Sequence, residues 1–361
     1  MDGRLRIDED IRDARTLPAW CYRDEAFLER LRERVFARSW QFAGDAGLAA
    51  DPGRVHPFAF LEGCVEEPLV LTRDAKGALH CLSNVCTHRA NLVVQEPGSC
   101  GALRCGYHGR RFALDGSFEG MPEFEEARGF PTTSDDLARL PLERWGPLLF
   151  TAIEPDAPFE AWAGEIRRRL VGVSTDGLRF EPARSRSYEV RANWALYVDN
   201  YLEGLHIPFL HKGLNAQLDY GDYATELFGR ANLQVGYGEA ADVVFELPRA
   251  SPDHGRRVAA YYAWLFPNLM LNFYPWGLSV NVVKPLAVDR TRVTFLTYVG
   301  DPSKLDRGAG SSLDRVELED EAAVESVQKG VRSRLYDRGR YSPTREQGVH
   351  HFHRLLAAAV E

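Results

Sequence analysis

The sequence predicts an α+β protein of two domains, a small N-terminal all-β domain followed by a domain in which helices lie on one face of an antiparallel sheet. Three observations carry this. A chain of 361 residues is long for one compact core and comfortable for two. Between about Ser39 and Ile153 the text is made of short β-like pieces broken by Gly and Pro, such as WQFAG, EEPLVLTRD and WGPLLFTAI. Farther on, the alternating runs SRSYEVRAN, GRANLQVGY, VAAYYAWLF, MLNFYPWGLSVNVVKPL and RTRVTFLTYV suit an antiparallel sheet.

In order along the chain, DEAFLERLRERVF has Asp24 as a capping residue and Phe27, Leu28, Leu31, Val35 and Phe36 at helical spacing. Residues 1–38 therefore read as a helical arm, expected to pack on the C-terminal domain. Residues 39–155 read as the β domain. The stretch EPDAPFEAW carries two prolines and gives way to the helical AGEIRRRLV, which puts a boundary there and leaves 156–361 as the second domain. Two helical segments interrupt its strands, NWALYVDNYLEGLHIPFLHKGL before most of them and RVELEDEAAVESVQKGVRSRLY after. Internal repeats and low-complexity stretches are absent.

A formal charge of −8 spread along the chain provides no basic tract for nucleic acid. The first residues are charged and lack a secretory core, and no later run approaches membrane-spanning length; the expectation is a cytoplasmic protein with neither nucleic acid nor membrane as partner. All six cysteines fall before residue 106, a distribution unlike a disulfide framework and more like a reduced protein with a metal site.

Cys86-Thr87-His88, sixteen residues, then Cys105-Gly106-Tyr107-His108 presents two mixed Cys/His pairs on two loops. Two thiolates and two imidazoles match a Rieske [2Fe–2S] centre, with the thiolates on one iron and the imidazoles on the other. A structural zinc site uses the same ligand types, but zinc fingers separate a cysteine pair from a histidine pair. Gly106, Gly109 and Gly116 suit tight loops around a cluster. Cys81 and Cys100 flank these loops without ligand spacing and read as buried thiols.

A second constellation lies in DNYLEGLHIPFLH, where His206 and His211 stand five residues apart. In an ideal helix their rings would diverge by about 140°, so a break is required, and Pro208 between them supplies one. Two imidazoles and a carboxylate form a facial triad that leaves positions on ferrous iron open for dioxygen. Asp320 is the preferred third ligand, although spacing leaves Glu317, Glu319, Glu321 and Glu325 in competition.

With these residues in view, the chain resembles the α-subunits of Rieske non-haem iron oxygenases, and most of all the choline, glycine-betaine and carnitine monooxygenase branch. The likeness runs from LPAWCYRDEAFLERLRERVFARSWQFAG through NVCTHRANLV, CGYHGRRFALDG, DNYLEGLHIPFLHKGL and VESVQKG to YDRGRYSP and HHFHRLL. It implies a Rieske domain followed by a helix-grip catalytic domain, a ring-shaped homotrimer, and electrons from a flavin/iron–sulfur reductase or ferredoxin linked to NAD(P)H. It also implies that Glu203 bridges His206 to the cluster ligand His108 of a neighbouring subunit, and that Asp320 is the third iron ligand. Two departures stand out: the family's HGW is here His108-Gly109-Arg110, followed by Arg111, and its lysine after NW is Ala195. The two arginines point to an altered subunit interface or reductase docking, or else to a solvated basic face.

The implied reaction inserts one atom of O2 into a substrate C–H bond and reduces the other to water; on an N-methyl group it ends in demethylation. A quaternary ammonium must be recognised by aromatic faces, for which Tyr261, Trp264, Phe266, Tyr274 and Trp276 are the candidates, with plain sheet core as the competing role. His350, His351 and His353 are expected to pack or face solvent without binding metal. Two other functions stay open: hydroxylation of an aromatic or natural-product substrate on the same fold, and a Rieske electron carrier, which would have no need of the roughly 200 residues after the cluster domain.

Overall fold

The computed structural model describes residues 5–210, 224–238, 242–305 and 313–361. Residues 40–155 form one unit, and the described parts of 1–39 and 156–361 form the other.

The first unit is all β. Arg54–Phe60, Glu67–Arg73 and Leu79–Ser83 form the centre of a five-stranded antiparallel sheet, edged by Gly98–Ser99 and Arg139–Leu140. Gln41–Asp45, Leu148–Thr151 and Leu142–Trp145 make a second sheet, and Leu103–Arg104, Arg111–Phe112 and Phe118–Gly120 a third. Leu69, Val70 and Leu71 are all buried, so the middle strand is covered on both faces and reads as an unbroken apolar run. Val55, Val70, Leu82, Leu103, Phe112 and Leu137 cluster with the side chains of Cys86 and Cys105. The core thus ends at the two thiols.

The second unit is a helix-on-sheet layer structure. Among the described residues eight strands pair antiparallel, in the order Arg179–Phe180, Arg290–Val299, Gly277–Ala287, Leu269–Tyr274, Val258–Leu265, Ala231–Tyr237 and Ala224–Leu227, with Arg186–Val190 also paired to Arg290–Val299. The stretch MLNFYPWGLSVNVVKPL, continuous in its β-like text, folds into two strands because Pro275 and Trp276 form a hairpin in which Tyr274 faces Gly277. Gly277 has φ +155°, and a Cβ there would sit 2.1 Å from the Tyr298 carbonyl oxygen.

The helices are α1 (Glu25–Leu31), α2 (Phe159–Arg169), α3 (Trp194–Tyr201), α4 (Ile207–Leu210), α5 (Leu313–Gly330) and α6 (Gln347–Val360). Asp24 caps α1 by accepting from Phe27 N, and the helix runs into one π turn over Arg32–Phe36. Asn193 caps α3, accepting from Ala195 N, while its own N–H donates to Gln328 of α5 at 2.8 Å. Trp194 is wholly buried, edge-on to Phe36 of the arm and to Phe352 of α6, and Phe352 lies against Trp264 of the sheet. Arm, α3, α6 and sheet are therefore locked around one aromatic column. Gly348 lets α6 approach closely, since a Cβ there would meet the Leu202 carbonyl oxygen at 2.4 Å. Among the described residues no helix is long and apolar enough to cross a membrane.

Candidate metal centres

Cys86 and His88 lie on the loop after Leu79–Ser83, and Cys105 and His108 on the turn joining Leu103–Arg104 to Arg111–Phe112. Both loops close in the same way. Cys86 O accepts from Ala90 N at 3.0 Å, and Cys105 O accepts from Gly109 N at 3.0 Å; Ala90 and Gly109 both take left-handed conformations, φ +56° and +74°. The turn aims backbone N–H groups inward: those of His88 and Arg89 point to the Cys86 sulfur, and those of Tyr107 and His108 to the Cys105 sulfur. The Asn91 amide approaches the Cys105 sulfur at 3.6 Å.

Burial pushes the Cys86 thiol up, whereas Cys105, against the same burial, is held below its ordinary value by these backbone and side-chain donors. The two sulfurs are within hydrogen-bonding reach of one another, and the two imidazoles stack edge-on at 4.7 Å. Nδ1 of His88 is buried without a hydrogen-bond partner, a state expected of a ligand atom. A sulfur pair and an imidazole pair side by side, with N–H groups on the sulfurs, fit a Rieske cluster.

Two neighbouring expectations are corrected. Arg110 is only 2% exposed, so it belongs neither to a solvated basic face nor to a docking surface; Arg111 is exposed and pairs with Glu119 at 3.1 Å. Cys81 is buried, but Cys100 is only half-buried.

In the second unit α3 ends at Tyr201 and the chain turns at Leu202–His206 before α4. The break thus precedes Pro208, which occupies the first turn of α4, where its missing N–H costs nothing. The turn places Glu203 against His206: Glu203 Oε2 accepts from the N–H groups of Leu205 and His206, and Oε1 lies 2.6 Å from His206 Nδ1. That leaves Nε2, which faces Asp320 Oδ1 of α5 at 3.6 Å. Asn200 Nδ2 donates to the same Asp320 oxygen at 3.1 Å. His206 and Asp320 could therefore hold one ion through Nε2 and a carboxylate oxygen, with Glu203 orienting the ring from behind. His211 lies outside the described residues.

The competing carboxylates of α5 have other surroundings. Glu325 pairs with Arg191 at 3.0 Å; Glu319 is half-buried; Glu321 Oε1 is buried without a partner. Glu317 is buried and accepts from Tyr197 OH at 2.6 Å. Burial, opposed by that hydrogen bond and reinforced by the charges of Asp320 and Glu321, pushes its carboxyl up to about 8. In the iron-free chain the folded state then keeps the Glu317 proton longer than the unfolded state. Stability is full below about pH 4.5 and falls as pH rises toward 8. Glu317→Gln should remove this slope and raise stability above pH 8 by on the order of a few kcal/mol. Denaturant melts at acid and alkaline pH measure it, and identical slopes for both proteins would refute the assignment.

Sequence reasoning missed the support behind α3. Asp199 accepts from Tyr22 OH at 3.0 Å and pairs with His353 Nε2 at 2.7 Å; His353 Nδ1 meets Tyr341 OH at 2.6 Å. His353 is wholly buried, as is most of His350, whose Nε2 lies 2.7 Å from the Asp8 carbonyl oxygen. His351 Nε2 is buried without a partner. The HHFH text was visible, but its partners are distant in sequence.

The aromatic candidates divide by strand alternation. Trp264 and Tyr274 share the sheet face covered by α3 and α6. Trp264, however, is fully buried against Phe352 and donates to the Pro267 carbonyl. Tyr261 lies on the opposite face, donating to Asp253 at 2.7 Å. Phe266 follows the strand end and packs edge-on to Trp264. Tyr274 stacks on Trp276 at 5.0 Å, with Tyr262 edge-on to Tyr274. Buried polar groups accompany these rings: Asn272, opposite Tyr262, accepts from Tyr201 OH at 2.6 Å, and Ser279 donates to Asn281. Asparagines at alternate positions in apolar strands were the available signal.

Residues 57–131 match the family described as "Rieske [2Fe-2S] domain", and residues 178–361 the one described as "Ring hydroxylating alpha subunit (catalytic domain)". The chain is 32% identical over 363 residues to the chloroplastic choline monooxygenase of Arabidopsis thaliana, covering 95% of this chain and 82% of that one. It is 29% identical to the carnitine monooxygenase oxygenase subunit of Escherichia coli K12, covering 96% and 94%. A solved quaternary ammonium Rieske monooxygenase shares the fold, with TM-score 0.78 at 23% identity over 99% of this chain and all of that one. With a Rieske cradle in one unit and a histidine–carboxylate pair under a helix-on-sheet layer in the other, the chain belongs to the Rieske oxygenases, as an α-subunit carrying a [2Fe–2S] cluster and a mononuclear iron.

Proposed function

We propose that this oxygenase hydroxylates an N-methyl C–H bond of a small quaternary ammonium or betaine, whose hydroxylated product collapses to an aldehyde and a demethylated amine. The overall balance is one C–H bond and O2, with two electrons and two protons, giving the alcohol and water. The observation that carries the oxygenase chemistry is the Glu203–His206–Asp320 arrangement, which leaves Nε2 and a carboxylate oxygen facing one point. The substrate class follows the choline and carnitine relatives. The group of buried Tyr274 and Trp276 with half-buried Tyr262 supports it, because a cation without donors or acceptors is bound by ring faces.

We assign Cys86, His88, Cys105 and His108 to the cluster, and His206, His211 and Asp320 to the iron. When bound, the iron would supply open coordination positions for O2, and the cluster the second electron. Glu203 holds the His206 ring with Nε2 forward, and Asn200 holds Asp320. The aromatic group excludes water from the substrate's methyl groups and orients them.

A homotrimer, with the cluster of one copy beside the iron of the next and a flavin/iron–sulfur reductase or ferredoxin as donor, completes the reading. Each centre carries apolar side chains in water, Tyr107 and Leu92 at one, Leu205 and Phe209 at the other, a kind of surface that partners cover. A cytoplasmic location fits six cysteines of which none is in a disulfide.

The test is single turnover of the chemically reduced protein with a panel of choline, betaines, carnitine and aromatic acids, scored by product. Demethylated amine or aldehyde from a quaternary ammonium is expected. Hydroxylation confined to aromatic acids would overturn the substrate class, and no product from any substrate under conditions that oxidise the cluster would leave an electron carrier.

A further inference from the structure

Arg110 is a buried guanidinium in the wall of the cluster site. It follows His108 by two residues, and its carbonyl accepts from Cys105 N at 2.8 Å, so its backbone is part of one cluster loop. Its side chain turns inward, with its carbon 4.8 Å from the Phe118 ring centroid, 5.5 Å from Phe130 and 5.7 Å from Phe112. Nη2 donates to Asp135 Oδ1 at 2.6 Å and to the Asp135 carbonyl at 3.2 Å, while Nε is buried without a partner. The same carbonyl accepts from Thr87 Oγ1 at 2.8 Å. Thr87 sits between Cys86 and His88, so Arg110 and Asp135 together tie one cluster loop to the other. The ring set continues outward, Phe130 to Phe124 at 4.9 Å and Phe124 edge-on to His88 at 5.5 Å.

Taking a charge out of water is costly, and a single carboxylate in a box of phenyl rings compensates it only in part. The structure keeps this cation beside the cluster loops where a neutral side chain would pack without that cost. A fixed positive charge in a low-dielectric wall acts on any group whose charge changes nearby. The group that changes charge here is the cluster, which becomes one unit more negative on reduction; burial, hydrogen bonding and net charge are the protein's means of setting its potential.

We propose that Arg110 is a positioning and tuning residue of the electron-transfer centre: its buried charge favours the reduced cluster, and its partner Asp135 sets how much of that charge is felt. The step it acts on is the arrival of one electron from the external reductase. No bond to Arg110 forms or breaks. The inference rests on the assignment of Cys86, His88, Cys105 and His108 as cluster ligands.

The test is an anaerobic redox titration of the purified holoenzyme, followed by the visible spectrum and circular dichroism of the cluster, for the parent chain, Arg110→Met, Arg110→Lys and Asp135→Asn. Arg110→Met should lower the equilibrium constant for one-electron reduction about tenfold, a fall of about 59 mV. Arg110→Lys should restore most of it, and Asp135→Asn should move the potential upward. Mere loosening of the site would admit water in both Arg110→Met and Asp135→Asn and shift both the same way. Shifts of the same sign, or no shift in either, overturn the proposal. If Arg110→Met takes up no cluster, Asp135→Asn decides alone, and an unmoved or lowered potential overturns it. Absence of labile sulfide from the parent chain would instead refute the ligand assignment, so the two failures are distinct.

Discussion

Glu203→Gln is expected to keep both metal centres filled while lowering coupled substrate oxidation by about 100-fold or more. Glutamine preserves the volume and can still accept from the N–H groups of Leu205 and His206. It removes the negative charge 2.6 Å from His206 Nδ1, the group that sets the tautomer and turns Nε2 toward Asp320. If Glu203 also bridges to His108 of a neighbouring copy, the electron path loses its connecting carboxylate. Iron and sulfide analysis with steady-state product formation checks this. Metal content at the parent level with unchanged product per O2 consumed would remove Glu203 from the path.

The second large effect concerns Asp320. Asp320→Ala should leave the cluster intact and empty the mononuclear site. Iron should fall from three to two per chain at two labile sulfides, with the Rieske spectrum unchanged and product formation abolished. The side chain faces His206 Nε2 at 3.6 Å and is held by Asn200, so its loss removes the carboxylate from the pair and frees the amide that positioned it. Retention of the third iron would shift the ligand role to another carboxylate of α5, with Glu321 and its unpartnered Oε1 the first to examine. Zinc in place of iron, without sulfide, would overturn the oxygenase reading as a whole.

The cluster motif was legible because its information is local. Each Cys/His pair lies within one loop of a few residues, and the loops repeat one turn, closed by the N–H of Ala90 in one and of Gly109 in the other. Dihedral preference and ligand spacing are then nearly the same statement. The alternating strands and the capped helix after Asp24 were readable for the same reason, since period and cap are properties of adjacent residues. The helix break was misplaced at Pro208 because a proline is as well suited to starting a helix as to ending one. The folded chain turns at Leu202–His206, where Gly348 of α6 presses against the Leu202 carbonyl.

What the sequence by itself determined is the α+β class with a Rieske part and a catalytic part; Cys86, His88, Cys105 and His108, and the pair His206 and His211, were legible in it as candidate ligands. Only the tertiary structure decided which carboxylate faces His206, which strand face each aromatic ring takes, and that Arg110 lies inside the protein. These depend on contacts between residues tens to hundreds of positions apart, such as Asn200 with Asp320, Trp264 with Phe352, and Arg110 with Asp135. Spacing along the chain carries no record of such contacts, because packing and desolvation set them once the helices and sheets have assembled.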